Sequence, residues 1–232
     1  MQGVIKHMII TKERHTIIFF DIRNFSEHRS RLADKGRASL LTEFVKDVLN
    51  GAVDLLNARK EQFEMDPKPI LNHTGDGFML IVRGRKNPLL GLLWLSEFRR
   101  FVSSRIKSYE RSICGLFTGT PPKKLDFGIG GHYGLALPFE FKDFEGVDKR
   151  VGFIGSALNI ASHVEQCTKD HVQKIITTDK LLDAVRQSVT LSGRKRINSF
   201  IVSLGRHRIR GFDKPIKLFG FTSGFHQAWK ED

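Results

Sequence analysis

Cysteine is nearly absent from this 232-residue chain. Its two cysteines, Cys114 and Cys167, have no metal-ligand spacing, and one pair cannot build a disulfide framework. Long apolar runs are missing as well. The longest, "PLLGLLWL" at 88–95, falls far short of the roughly 20 residues a membrane-spanning helix needs. The N-terminal stretch "MQGVIKHMIITKERHT" has no sustained apolar core followed by a small-residue cleavage site, which argues against a signal peptide. No repeat or low-complexity tract is visible. A cytoplasmic protein is the expectation these absences leave. Acidic residues are in the minority: 25 Asp and Glu face 38 Lys and Arg, for a net charge of +13. That balance suits a polyanion, whether nucleic acid, an anionic membrane surface or a nucleoside triphosphate, and it also aids solubility. The basic clusters at 194–196 and 206–217 lack the interleaved aromatics on which a single-strand binder stacks bases. No stable nucleic-acid or membrane partner is therefore expected.

Apolar residues are plentiful. The chain is 40% hydrophobic, with 19 phenylalanines, enough for the core of one domain spanning 1–232. Residues 16–20 read as a buried strand. Apolar positions 40, 41, 44, 45, 48, 49, 53 and 56 have helical spacing. "PILNHTGDGFMLIV" (69–82) reads as two strands joined by the Gly75-Asp76-Gly77 turn. A second helix is marked by Leu92, Leu93, Leu95, Phe98, Phe101, Val102 and Ile106. Residues 110–124 read as a loop, 125–137 as a strand and 138–150 as an exposed connection. A third helix begins near Gly155, followed by a short strand at "KIITT", a short helix over 180–185 and two closing strands. The order βαββαβ with additional C-terminal strands predicts an α+β fold: a ferredoxin-like core with an antiparallel-rich sheet and helices on one face. Strict alternation, as in a doubly wound sheet, is absent.

Three stretches carry candidate chemistry. "TIIFFDIRNFS" (16–26) runs a buried strand into Asp21, and the hairpin turn holds Asp76. In a βαββ core the end of the first strand and the hairpin turn meet at one edge. Two carboxylates converging there suit a hard divalent cation, which takes a few carboxylates and completes its shell with phosphate oxygens. Each aspartate alone has an ordinary explanation, as a turn former or a helix cap. The residues after Asp21 (Ile22, Arg23, Asn24, Phe25) can turn successive N–H groups toward the start of the next helix, an anion cradle. In "GFIGSALNIASHVEQ" (152–166), Asn159 and His163 are four apart and share a helical face.

Taken together, "FFDIRNFS", "HTGDGFMLIV", "GFIGSALNIASHVEQ" and "LGRHRIRGFDKPIKLFGF" resemble, in order and spacing, the catalytic domain of class III nucleotidyl cyclases, from about residue 15 to about 221. The resemblance implies a head-to-tail homodimer with its active sites in the interface. Asp21 and Asp76, with the backbone carbonyl of Ile22, would hold two Mg2+ or Mn2+ ions. The partner chain would supply Asn159 to orient the ribose and Arg210 to grip the triphosphate where the family has a Lys. Substrate contacts would come from Ile22, Arg23, Asn24, Phe25, Asn72 and Gly152.

The chain departs from the family at three places. Purine cyclases place a base-reading Lys four residues before the second metal aspartate, where this chain has Asn72. Their second reader, an Asp, Thr or Cys seven residues before the helix Asn, is Gly152 here. The transition-state Arg is replaced by His163, with Arg150, Lys149 and Arg208 as alternative cations. Loss of both purine readers alongside a retained metal site resembles the pyrimidine cyclases of bacterial Pycsar anti-phage systems. Those cyclases convert UTP or CTP to a cyclic monophosphate read by a separate effector. The expectation is a uridylate cyclase ahead of a cytidylate cyclase. The alternatives are a purine cyclase with unusual base contacts and a catalytically silent nucleotide-binding module. The loops at 110–124 and 138–150 are candidate contacts for an external trigger.

Overall fold

The computed structural model describes residues 13–59, 69–84, 86–117, 119–142, 149–222 and 225. The first strand, β1 (Arg14–Arg23), leads through Asn24 into α1 (Phe25–Asp34) and α2 (Ala38–Asn57). The hairpin β2 (Ile70–His73) and β3 (Gly77–Val82) precedes the long α3 (Asn87–Ile113). Next come β4 (Asp126–Leu135), the pair β5 (Leu137–Lys142) and β6 (Lys149–Ile154), and α4 (Ser156–Cys167). The chain closes with β7 (Ile175–Thr178), α5 (Asp179–Ser188), α6 (Leu191–Asn198), β8 (Ile201–His207) and β9 (Ile216–Phe221).

Among the described residues the main sheet has seven strands in the order β2-β3-β1-β4-β7-β9-β8, antiparallel except where β4 runs beside β7. The part β2-β3-β1-β4 is the expected ferredoxin-like core, and β8 and β9 are the expected C-terminal additions. Both faces of β1 are buried, so the strand reads as a near-continuous apolar run. On one face Ile18, Phe20, Ile22, Phe78 and Leu80 pack with α2, α3 and α5. Phe20 lies 5.1 Å from Phe78 and 5.0 Å from Phe98, and Phe98 stacks on Trp94 at 4.5 Å. Each such ring pair adds about 0.5–1.5 kcal/mol beyond its buried area. Phe20 and Phe78 sit next in sequence to Asp21 and Gly77, so this aromatic packing holds the two strand ends that matter below.

Helices were expected on one face only, but α4 covers the other. It packs on Ile17, Met79 and Ile81 through Ala157 and Ala161, joined by Phe153 of β6. Glycine makes this approach possible: a Cβ on Gly130 of β4 would strike the Glu165 amide nitrogen and lie 2.6 Å from the Ala161 carbonyl oxygen. The chain also departs from the sequence reading locally. A helix, α1, immediately follows the first strand, α3 extends to Ile113 into the expected loop, and residues 191–198 are helical. The expected exposed connection is a two-stranded ribbon, β5-β6; residues 143–148 between the two strands, the first twelve residues of the chain, and the side chains of Lys149 and Arg150 lie outside the described residues.

Candidate active site

Asp21 and Asp76 meet. Asp21 is the residue of β1 that pairs with Gly77 of β3, and Asp76 immediately precedes Gly77 in the turn. A side chain on Gly77 would run into the Phe20 carbonyl, so only glycine lets the turn close against the end of β1. Burial raises the Asp21 pKa, the neighbouring Asp76 charge and a hydrogen bond between the two side chains raise it further, and Lys169 and Arg23 only partly offset this. Two carboxylates held against their own repulsion make a site short of positive charge. The Ile22 side chain is buried in the core, which leaves its backbone carbonyl as the group it can offer a ligand.

Asn24 adopts the left-handed conformation (φ 63°) that asparagine tolerates better than most residues, and its Nδ2 donates to the Lys124 carbonyl at 2.7 Å. The chain thereby turns into the ten-residue α1, whose N-terminus has no side-chain cap. Amides in the first turn of a helix have no intrahelical partner, and at α1 no capping side chain takes them up. Phe25 opens α1 and lines a cleft with Val45, Leu49 and His73.

Arg23 does not reach outward. Its Nη1 donates to Asp126 Oδ2 at 3.3 Å and to the Thr168 carbonyl at 3.2 Å, while Nη2 donates to Thr168 Oγ1 and lies 3.7 Å from Glu165 Oε1. Lys174 Nζ closes on Asp126 at 2.6 Å. Burial works against ionisation of Asp126, but Lys174, the Phe127 amide and Arg23 outweigh it and hold its pKa below the usual carboxylate range. Glu165 is the opposite case: burial first, then the Asp21 charge, push it up to about 7 against the pull of Arg23 and Lys169. Sequence reading had passed over Glu165. Its only signal was an acid at a helix position facing the sheet beside alternating glycines.

The raised Glu165 pKa has a consequence for stability. The unfolded chain releases this proton near 4.5 and the folded protein near 7, so between those values the folded state binds more protons. Stability conferred below pH 4.5 is lost as pH rises through 7, by up to about 3 kcal/mol from this group. Urea denaturation of metal-free protein at pH 5 and at pH 8 should show that loss. Glu165→Gln should remove most of it; an unchanged pH slope in the variant would contradict the assignment.

On α4 the residues divide by face. Ala157, Ala161 and Glu165 are buried toward the sheet, and Ile160 and Val164 enter a cluster with Ile176, Ile209 and Leu218. Asn159 and His163 remain on the outer stripe, Asn159 exposed and His163 half-buried. The buried Ile209 pins its flanking residues Arg208 and Arg210, both exposed, beside this helix. Asn72 pairs with Met79, which pairs with Phe19, so it stands two rows along the sheet from Asp21. Gly152 pairs with Phe139, whose ring would lie 2.5 Å from a Cβ at that position. One chain therefore presents two groups: the aspartates with the uncapped start of α1, and the outer α4 stripe with the exposed Arg208 and Arg210. Among the described residues no three His, Cys, Asp or Glu side chains converge closely enough to hold a metal unaided.

The chain superimposes on solved cyclase domains along nearly its whole length. The adenylyl cyclase CyaB from P. aeruginosa matches with a TM-score of 0.65 and 16% identity, over 91% of this chain and 95% of that one. The fold is that of the class III cyclases. The guanylyl cyclase Cya2 matches at TM-score 0.62 and 15% identity, over 90% and 92% of the two chains. The guanylate cyclase domain of RhGC from Catenaria anguillulae, solved with GTP, matches at 0.55 and 16%, over 91% and 97%. No protein-family profile and no curated protein sequence matches the chain. The class III fold is thus carried by a sequence only 15–16% identical to these cyclases. No described helix is long and apolar enough to cross a membrane.

Proposed function

We propose that this protein is a nucleotidyl cyclase that converts a pyrimidine nucleoside triphosphate, UTP ahead of CTP, to its 3′,5′-cyclic monophosphate and pyrophosphate. The observation that carries the reading is the meeting of Asp21 and Asp76 at the strand ends of a class III fold, under-compensated for charge and beside an uncapped helix N-terminus. This donor set fits divalent cations: the oxygens are hard, the carboxylates are too few to fill a coordination shell alone, and phosphate oxygens would complete it. Two Mg2+ or Mn2+ ions held by Asp21, Asp76 and the Ile22 carbonyl would neutralise the triphosphate and lower the pKa of the 3′-hydroxyl. In the reaction the 3′-oxygen attacks the α-phosphorus in line. That P–O bond forms as the bond to the bridging oxygen breaks, pyrophosphate leaves with the electron pair, and the hydroxyl proton passes to solvent. The chain's own work is positioning and charge. The α1 amides receive phosphate oxygens, Asn159 orients the ribose, Arg210 grips the triphosphate, and His163 donates to a phosphate oxygen. Arg in the grip position keeps the charge and adds a forked donor set.

The outward placement of Asn159, His163 and Arg210, away from the buried face of α4, supports a homodimer in which each chain completes its partner's site. The β5-β6 ribbon leaves Phe139, Phe141 and Ile154 exposed at 45%, 46% and 65%, an apolar surface suited to a second copy. Mixing Asp21→Ala with Asn159→Ala protein tests this directly. Each variant alone should be inactive, while the mixture should recover about a quarter of wild-type activity, since half the dimers are mixed and each has one intact site. No recovery would contradict shared sites.

Pyrimidine selection is supported by what is missing. Asn72 cannot supply the cation of a purine reader, and the Phe139 ring occupies the space in which a polar side chain at 152 would stand. A pocket without partners for the purine edge discriminates against it. The cyclic product would serve as an anti-phage signal for a separate effector. Incubation with ATP, GTP, CTP and UTP plus Mn2+, with mass spectrometry of the products, tests the reading. Cyclic UMP or cyclic CMP is expected. Cyclic AMP or cyclic GMP would overturn the pyrimidine assignment, and nucleotide binding without any product would favour a silent module.

A further inference from the structure

We propose that Glu165 and Arg23 set the cation affinity of the Asp21–Asp76 pair: Glu165 draws the Arg23 guanidinium off Asp21 and adds its own negative charge behind the site. The inference rests on reading those aspartates as the metal-binding pair. Arg23 follows Asp21 by two residues, so both side chains leave β1 on the same face. Its guanidinium has two destinations. It can pair with Asp21 and quench the site, or turn inward. It turns inward, to Asp126, Thr168 and Glu165, with its side chain only 13% exposed.

That inward pocket exists because residue 128 is glycine. A Cβ on Gly128 would collide with Thr168 Oγ1 and Glu165 Oε1 and lie 2.5 Å from Arg23 Nη2. The pocket is also incompletely satisfied. Glu165 is 5% exposed, and its Oε1 has no hydrogen-bond partner, only the guanidinium at 3.7 Å. A buried carboxylate oxygen without a hydrogen bond is costly to keep. Here its charge acts on Asp21 and so on any cation bound there. Glu165 is thus a positioning residue, acting on the metal pair through Arg23 and through its field. It sits about 200° around α4 from His163, so one helix addresses this chain's cation site with its inner face and the partner's substrate with its outer face.

The test is Mn2+ binding to the full chain without nucleotide, by calorimetry or by the EPR signal of free Mn2+, at about pH 8.5, where Glu165 is ionised. Glu165→Gln should weaken binding roughly tenfold, the scale of losing one nearby charge in a partly shielded site. Arg23→Gln should tighten it, because the competing cation is gone. A brace with a purely structural role would weaken binding in both variants. Opposite signs therefore support the proposal. Two folded variants that both weaken binding, or a folded Glu165→Gln protein with wild-type affinity, would overturn it. Asp21→Ala separates the two levels of the argument. If that change leaves Mn2+ binding intact, the metal-site reading fails and the proposal with it; if it abolishes binding while Glu165→Gln does nothing, only the proposal fails.

Discussion

Asp21→Ala should abolish cyclase turnover, by at least about a thousandfold, while leaving the fold intact and the metal-free protein no less stable. The two halves of this expectation come from the same geometry. Asp21 is half-buried beside Asp76, and burial and that neighbour both raise its pKa. At pH 8 the metal-free protein therefore holds a carboxylate that its surroundings disfavour, and removing it relieves repulsion. With divalent cations the sign reverses. Mn2+ should raise the melting temperature of the wild type and not that of the variant, because only the wild type gains binding free energy from the folded site. Turnover by capillary electrophoresis and melting curves with and without Mn2+ check both halves. A variant that loses activity only because it unfolds would show a large drop in the metal-free melting temperature, and that result would remove Asp21 from the catalytic account.

The sequence made some of this legible and hid the rest, for identifiable reasons. The apolar spacing over 40–56 became α2, and the Gly75-Asp76-Gly77 turn became the hairpin that brings Asp76 to Asp21. Both signals are local, set by periodicity and turn chemistry. The helix α1 was not marked because only His28 and Leu32 of its ten residues are buried, too few to show a period. The ribbon β5-β6 was read as an exposed connection because its partner strands are joined through a charged stretch and leave alternate phenylalanines exposed. The Arg23–Glu165 contact joins residues 142 positions apart in the chain and has no local signature, since an arginine after a strand and a glutamate in a helix are both ordinary. The glycines of "GIGGHYG" were visible as letters, but their meaning depends on which face each one occupies. Gly128, Gly130 and Gly134 face α4 or its surroundings, while Gly131 faces Leu181 and Leu95.

That difference in facing leads to the second large effect. Gly130→Ala should destabilise the protein by about 3 kcal/mol or more, the upper end of overpacking costs, whereas Gly131→Ala should cost well under half of that. At Gly130 every neighbour of the added methyl is helix backbone: the Glu165 amide nitrogen, the Ala161 carbonyl oxygen at 2.6 Å and the Glu165 Cα at 2.6 Å. Backbone within a hydrogen-bonded helix cannot move alone, so α4 must shift as a body. At Gly131 the neighbours are Leu181 Cδ2, Leu95 Cδ1 and Thr177 Cγ2, each at 3.1 Å, ends of side chains that can yield by a few tenths of an ångström. For a chain of this length a loss of that size at Gly130 lowers the melting temperature by roughly 6–12 °C. If Asn159 and His163 act in a partner's site as proposed, any Gly130→Ala protein that still folds should also lose turnover, because a displaced α4 moves both residues and loosens Glu165 from Arg23. Equal melting temperatures for the two alanine variants would show that α4 does not sit this close to β4, and with it would fall the account of how one helix serves two sites.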